Sequence, residues 1–151
     1  MKIKIAAVVV SVVGWLGFIF TNSLKSRAES ANQSAWLEAL ARKLAELLGF
    51  SGNGVNFTVI VRKAAHVFEF YLLCLLLYWI FNMLIKNKRA VNVLAPAVTL
   101  AAAAVDESLQ IISDRGASVK DVLVDGIGIL LAYLTVKIII KVKSKRIETN
   151  R

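Results

Sequence analysis

The sequence predicts an all-α integral membrane protein: a bundle of four transmembrane helices plus an extracytoplasmic amphipathic helix between helices one and two. Three observations carry that prediction. The 151 residues are 58% hydrophobic with a mean hydropathy of +0.66, too apolar for an ordinary soluble domain. The apolar residues fall in four long blocks. The basic residues that give a net charge of +9 flank those blocks. Such placement suits anionic lipid headgroups and control of topology, and excludes nucleic acid as the reason for the charge. The length fits a single domain over residues 1–151.

The first block, IAAVVVSVVGWLGFIFTN, runs from Ile5 to Asn22. It is long for the apolar core of a signal peptide, and no small-residue cleavage pattern follows, so it reads as a retained helix. The next spans are about 59–85, 90–112 and 121–140, followed by a basic tail at 141–151. Crossing the hydrocarbon takes roughly 17–25 helical residues. Barrel strands would alternate in polarity, which these continuous runs do not. Pro96 lies within the third span, where a kink is expected rather than an end. Cys74, the one cysteine, lies inside the second, so no intrachain disulfide is possible.

Between the first two spans, SAWLEALARKLAELLGF places Trp36, Leu37, Leu40, Leu44, Leu47 and Leu48 on one side of a helix over about 34–48. Glu38, Arg42, Lys43 and Glu46 lie towards the other. Such a helix lies on the membrane surface or over the bundle, as a packing helix with a solvated face or as a lid and rim to a pocket. Orientation follows from the short flanks. The N-terminus, the KNKR link and the end of the chain from Lys137 onwards carry eleven lysines and arginines, against eight spread over the longer opposite segments. Both termini are therefore expected in the cytoplasm of a multi-pass plasma-membrane protein.

That topology gathers the polar residues of the spans at one outer end. Arg62, His66 and Glu69 share a face of helix two. Asp106 and Gln110 share a face of helix three beside Glu107, and Asp121 and Asp125 open helix four. Asn22 and Ser23 close helix one at the same level. Ionisable groups inside a span are costly and should face inward, with Arg62, Lys63, His66 and Arg115 as partners. In a functional reading, His66 and Glu69 are acid–base groups. Asp106, Glu107 and Asp125 orient them or, with Glu69, hold a divalent cation. Arg62 and Arg115 receive phosphate or carboxylate groups.

Structural readings stand beside these. A lone histidine in a bundle is commonly a hydrogen-bonding partner. Ser118-x-x-Asp121 is a helix-capping pattern. Lys63 can anchor its helix at the headgroups. Gly126 and Gly128 can permit close helix packing. Trp15, Trp36 and Trp79 suit interfaces or core.

The ordered set RKAAHVFEF, DESLQ, DR and DVLVDGIG, with TNS closing the first helix, resembles the VanZ-like membrane proteins over about residues 22–128. The positions matching the pattern are His66, Glu69, Asp106, Glu107, Gln110, Arg115, Asp121, Asp125 and Gly128. Two departures are DRG where Gly-Arg is usual, and Phe70 beside Tyr71 where tyrosine is common. The resemblance implies a bacterial cell-envelope role and low-level resistance to teicoplanin, a lipidated glycopeptide. It leaves the chemistry open among three readings. One is an enzyme acting on a lipid or lipid-linked envelope molecule. Another is a non-catalytic binder of a lipoglycopeptide or envelope precursor. The last is lipid transport, for which four helices make a poor pathway.

Overall fold

The structure, a computed structural model, describes residues 2–50, 54–113 and 118–149. It contains five helices in the order α1 (Lys2–Ser23), α2 (Arg27–Leu47), α3 (Phe57–Leu84), α4 (Lys88–Ile112) and α5 (Val119–Thr149). Four of them are long and apolar enough to cross a membrane: Ile3–Ser23, Phe57–Leu84, Lys88–Ile112 and Val119–Thr149. No strand occurs among the described residues, and the protein is an all-α membrane bundle.

α3 is the central helix, and each of the other four packs against it. Its buried face supplies Phe70, Leu73, Cys74, Leu77, Tyr78 and Ile80 to the core. These meet Val8, Val12 and Ile19 of α1, Val91, Ala95 and Ala103 of α4, and Ile129 and Ala132 of α5. Many of the other leucines and isoleucines on the spans, such as Leu94, Leu100, Leu130 and Ile138, are exposed, as lipid-facing positions should be. α3 and α5 come closest at Gly128, where a Cβ would fall on the Val67 carbonyl oxygen. Gly126 meets nothing within 4 Å, so the expectation of close packing holds at Gly128 and fails at Gly126.

Two helices run well beyond their expected ranges. α2 begins at Arg27, about seven residues early, because Ser26 and Glu29 form a reciprocal capping box. Glu29 Oε2 accepts from both the backbone N–H and the hydroxyl of Ser26 at 2.8 Å, while Ser26 Oγ accepts from the Glu29 N–H. α5 runs on through the basic segment to Thr149. That segment holds no glycine or proline to stop it, and lysine and arginine are good helix formers.

α2 packs on α3 with a different face from the one its apolar stripe suggests. Ser34 Oγ and Thr58 Oγ1 both donate to the Glu38 carboxylate, and the Arg42 guanidinium stacks 5.0 Å from the Phe57 ring. Trp36, Leu40, Leu44 and Leu47 are left exposed, Trp36 by 66%. The stripe therefore faces the surroundings, as on an interfacial helix.

Pro96 is accommodated within α4. A proline cannot donate to the carbonyl four residues earlier. That carbonyl, on Asn92, instead accepts from the Tyr78 hydroxyl of α3 at 3.5 Å.

Candidate functional site

The polar residues converge where α1, α3, α4 and α5 meet. α3 presents His66 and Glu69 one turn apart, and α4 presents Asp106, Glu107 and Gln110. α5 contributes Asp125, and Ser23 ends α1 beside them. Asp106 is 0% and Asp125 1% exposed, and Glu69, Glu107, Gln110 and Ser23 are buried too.

His66 is the centre. Its Nδ1 lies 3.7 Å from Glu69 Oε2, 3.7 Å from Asp125 Oδ1 and 3.9 Å from Asp106 Oδ2. One imidazole nitrogen thus faces carboxylates from three helices, in ion-pair range but beyond hydrogen-bond length. Each carboxylate has its own position in the packing. Asp106 accepts from Ser23 Oγ at 2.5 Å and from Gln110 Nε2 at 3.1 Å. Asn22 Nδ2 donates to Glu69 Oε1 at 3.5 Å, and the Trp15 indole donates to the Glu69 backbone carbonyl at 2.9 Å. Asp125 Oδ1 is buried with no hydrogen-bond partner among the described residues.

Other residues of the predicted set fall outside this centre. Glu107 accepts from the Ser118 backbone N–H at 2.5 Å, so it holds the approach to α5. Asp121 sits in the first turn of α5 and pairs with Lys63 at 3.1 Å. Both ends of that pair are partly exposed, so it adds little stability. The side chain bonded to the start of α5 belongs to Ser118, whose Oγ accepts from the Lys120 N–H. Arg115 lies outside the described residues. Glu69, Asp106 and Asp125, the candidate metal ligands, surround the His66 nitrogen. Among the described residues, no group of three or more His, Cys, Asp and Glu is placed to hold a metal ion.

Two spaces adjoin the centre. A cavity of about 290 Å³ opens between α1, α2 and α3. His66 and Glu69 line it together with Asn22, Ser23 and Arg62, and α2 supplies Ser30, Gln33, Ser34, Trp36 and Leu37. A crevice of about 10 Å³, enough for one water, lies against α3, α4 and α5. Gln110, Asp121 and Asp125 border it, with Arg62, Lys63 and His66. His66 and Arg62 therefore face both spaces.

The sequence offered α2 as a lid or rim of the pocket, but not the residues by which it lines the cavity. The polar ones among them carry no ligand pattern, and only tertiary packing lays them over α3. The one local signal was the S-x-x-E pattern at Ser26 and Glu29, which marks the true start of the helix.

No match was found among the curated proteins or among the solved structures. A protein-family model described as VanZ/LLP1 matches residues 8–140, a span that contains the His66 centre and both spaces beside it. The chain accordingly belongs to the VanZ/LLP1 family, as a VanZ-like envelope protein of the membrane.

Proposed function

We propose that the protein is a plasma-membrane enzyme of the cell envelope, with both termini cytoplasmic, that acts on a lipid or lipid-linked envelope molecule from the outer leaflet. On this reading, low-level teicoplanin resistance follows from the altered envelope lipid. The carrying observation is the meeting of three carboxylates around one imidazole nitrogen beside a cavity. Unlike titratable groups gathered in a cleft are the mark of acid–base chemistry.

His66, whose buried Nδ1 faces the carboxylates, takes a proton on its other ring nitrogen, Nε2, from a water or a hydroxyl in the cavity. That oxygen then attacks the acyl or phosphoryl group of the lipid. The imidazolium, faced by Glu69, Asp106 and Asp125, returns the proton to the leaving oxygen. The separations of 3.7–3.9 Å are long for the resting centre, and such contacts tighten when substrate binds.

Size decides what enters. Pockets for drug-sized ligands span about 300–1,000 Å³, and this one is about 290 Å³. A lipid headgroup fits, whereas a whole lipoglycopeptide does not.

The test is incubation of the purified protein in bilayer nanodiscs with envelope lipids, followed by mass spectrometry. The expected result is a new lipid species, with turnover lowered roughly 10²–10⁴-fold by His66→Ala. Cells expressing that variant should lose the teicoplanin resistance that the unaltered protein confers. Unchanged lipids across all substrates and added metals overturn the reading. Lipid binding that survives Glu69→Gln and Asp106→Asn, without turnover, would make the protein a binder.

A further inference from the structure

We infer that Arg62 and Lys25 make the cavity between α1, α2 and α3 a site for a phosphate group. Its bearer is then a phosphate-containing lipid, which names the substrate class for the proposed function. The choice of a lipid rests on that reading, whereas the phosphate site does not.

Arg62 is the first ground. It lines the cavity, half-buried, and makes no hydrogen bond or ion pair with any described residue. Five N–H donors in a fixed fork are thus left at the wall. A guanidinium withdrawn from water without a partner is costly, and phosphate oxygens meet such a fork in pairs.

Lys25 is the second ground. It stands in the link between α1 and α2. Its Nζ donates to Asn22 Oδ1 at 2.8 Å and to Gln33 Oε1 at 2.7 Å. Both acceptors are neutral amides of residues that line the cavity. They hold the ammonium beside that space without cancelling its charge, and one of its three donors is left over. The end of Gln33 not held by Lys25 is its N–H donor end. The neighbouring carboxylates are turned elsewhere. Glu29, near enough to Lys25 to feel its charge, accepts from Ser26. Glu38 accepts from Ser34 and Thr58. Glu69 accepts from Asn22 and faces His66.

The order along α3 agrees. Arg62 lies four residues nearer the start of the helix than His66, about 6 Å along the axis at 1.5 Å per residue. In a glycerophospholipid the phosphate is likewise the outer group, and the ester linkages to glycerol lie deeper. A phosphate held at Arg62 therefore brings those esters towards His66. Its tetrahedral oxygens diverge, so donors from α3 and from the α1–α2 link each take one. A planar carboxylate presents a single edge.

The experiment is native mass spectrometry of the full-length protein equilibrated with an equimolar mixture of four lipids. These are phosphatidic acid, phosphatidylglycerol, monoglucosyl diacylglycerol and diacylglycerol hemisuccinate, all with the same acyl chains. Glycerol 3-phosphate is offered in a parallel sample. The two phospholipids should be retained about tenfold over the other two lipids, the order expected for hydrogen bonds to charged groups. Arg62→Gln and Lys25→Gln should each lower phospholipid retention several-fold and leave the glucosyl lipid unchanged. Lys143→Gln removes the same charge from the exposed end of α5 and should change nothing. Absence of a phosphate preference, or one that survives both Arg62→Gln and Lys25→Gln, overturns the inference. So does a preference that falls equally in Lys143→Gln. Selective retention of the glucosyl lipid or the hemisuccinate overturns it while leaving the lipid-site reading intact. Retention of glycerol 3-phosphate without any lipid, lost in Arg62→Gln, supports the phosphate site and overturns the lipid reading. Failure to retain any of these compounds overturns both. The ranking by the unaltered protein is informative even where a variant does not fold.

Discussion

Ser23, the last residue of α1, donates its hydroxyl to Asp106 of α4 at 2.5 Å, across 83 positions of chain. The partner is fully buried and has one further side-chain donor, Gln110. Returning along the same corner, Ser113 donates to the Ser23 carbonyl at 2.9 Å. Ser23→Ala therefore leaves a buried carboxylate short of a donor. The expected loss is about 1–3 kcal/mol, read as a lower midpoint of thermal unfolding in detergent. Ser11→Ala is the control, since Ser11 is exposed and bonds only the Ala7 carbonyl of its own helix. Equal effects of the two substitutions would show that the Ser23–Asp106 bond adds nothing.

Gly128→Ala is expected to destabilise by about 1–3 kcal/mol, the usual range for overpacking. The added methyl meets backbone of α3 at Val67 and Tyr71, which has no rotamer to yield. Gly126→Ala, two residues away and facing open space, should be close to neutral. Unfolding midpoints of the two variants, measured side by side, check the contrast.

The cap of α2 predicts a dependence on pH. Glu29 is held below the usual carboxylate range, first by the hydrogen bond from the Ser26 side chain and then by that from the Ser26 backbone. A lowered folded value means that the cap is intact above the unfolded value and is lost as pH falls through the folded one. A nitroxide at the exposed position Asn32 should gain mobility on acidification below the carboxylate range. Glu29→Gln should remove that response. A response that persists in Glu29→Gln would place its origin elsewhere.

The orientation is open to a direct check. Alkaline phosphatase fused in the α2–α3 connection at Gly54 should be active, and the same enzyme fused after the C-terminus should be inactive. A green fluorescent protein at the C-terminus should fluoresce. The reverse pattern would put the His66 centre on the cytoplasmic side.

Much of the fold was legible because apolar runs of spanning length leave the backbone few choices. The ends were less so. Arg27 to Gln33 has no apolar period to reveal a helix, and the basic stretch after Ile140 looks like a tail until its lack of breakers is weighed. For the site, spacing alone placed Arg62, His66 and Glu69 on one face, and Asp106 with Gln110 on another. Spacing could not divide labour between neighbours. Asp106 and Glu107 are adjacent, yet one faces the imidazole and the other holds the Ser118 backbone. Asp121 and Asp125 are one turn apart, yet only Asp125 reaches the centre. Such divisions depend on helix rotation within the bundle, which is a property of packing.

The Tyr78 hydroxyl on the Asn92 carbonyl fastens α3 to α4 near the three-residue link at 85–87. With the short connection and this clasp at one extremity, α3 and α4 are pinned together there, while at the other the Ser23 and Ser113 hydroxyls moor α4 to α1. The 3.9 Å gap between His66 and Asp106 is thus set between two anchored ends.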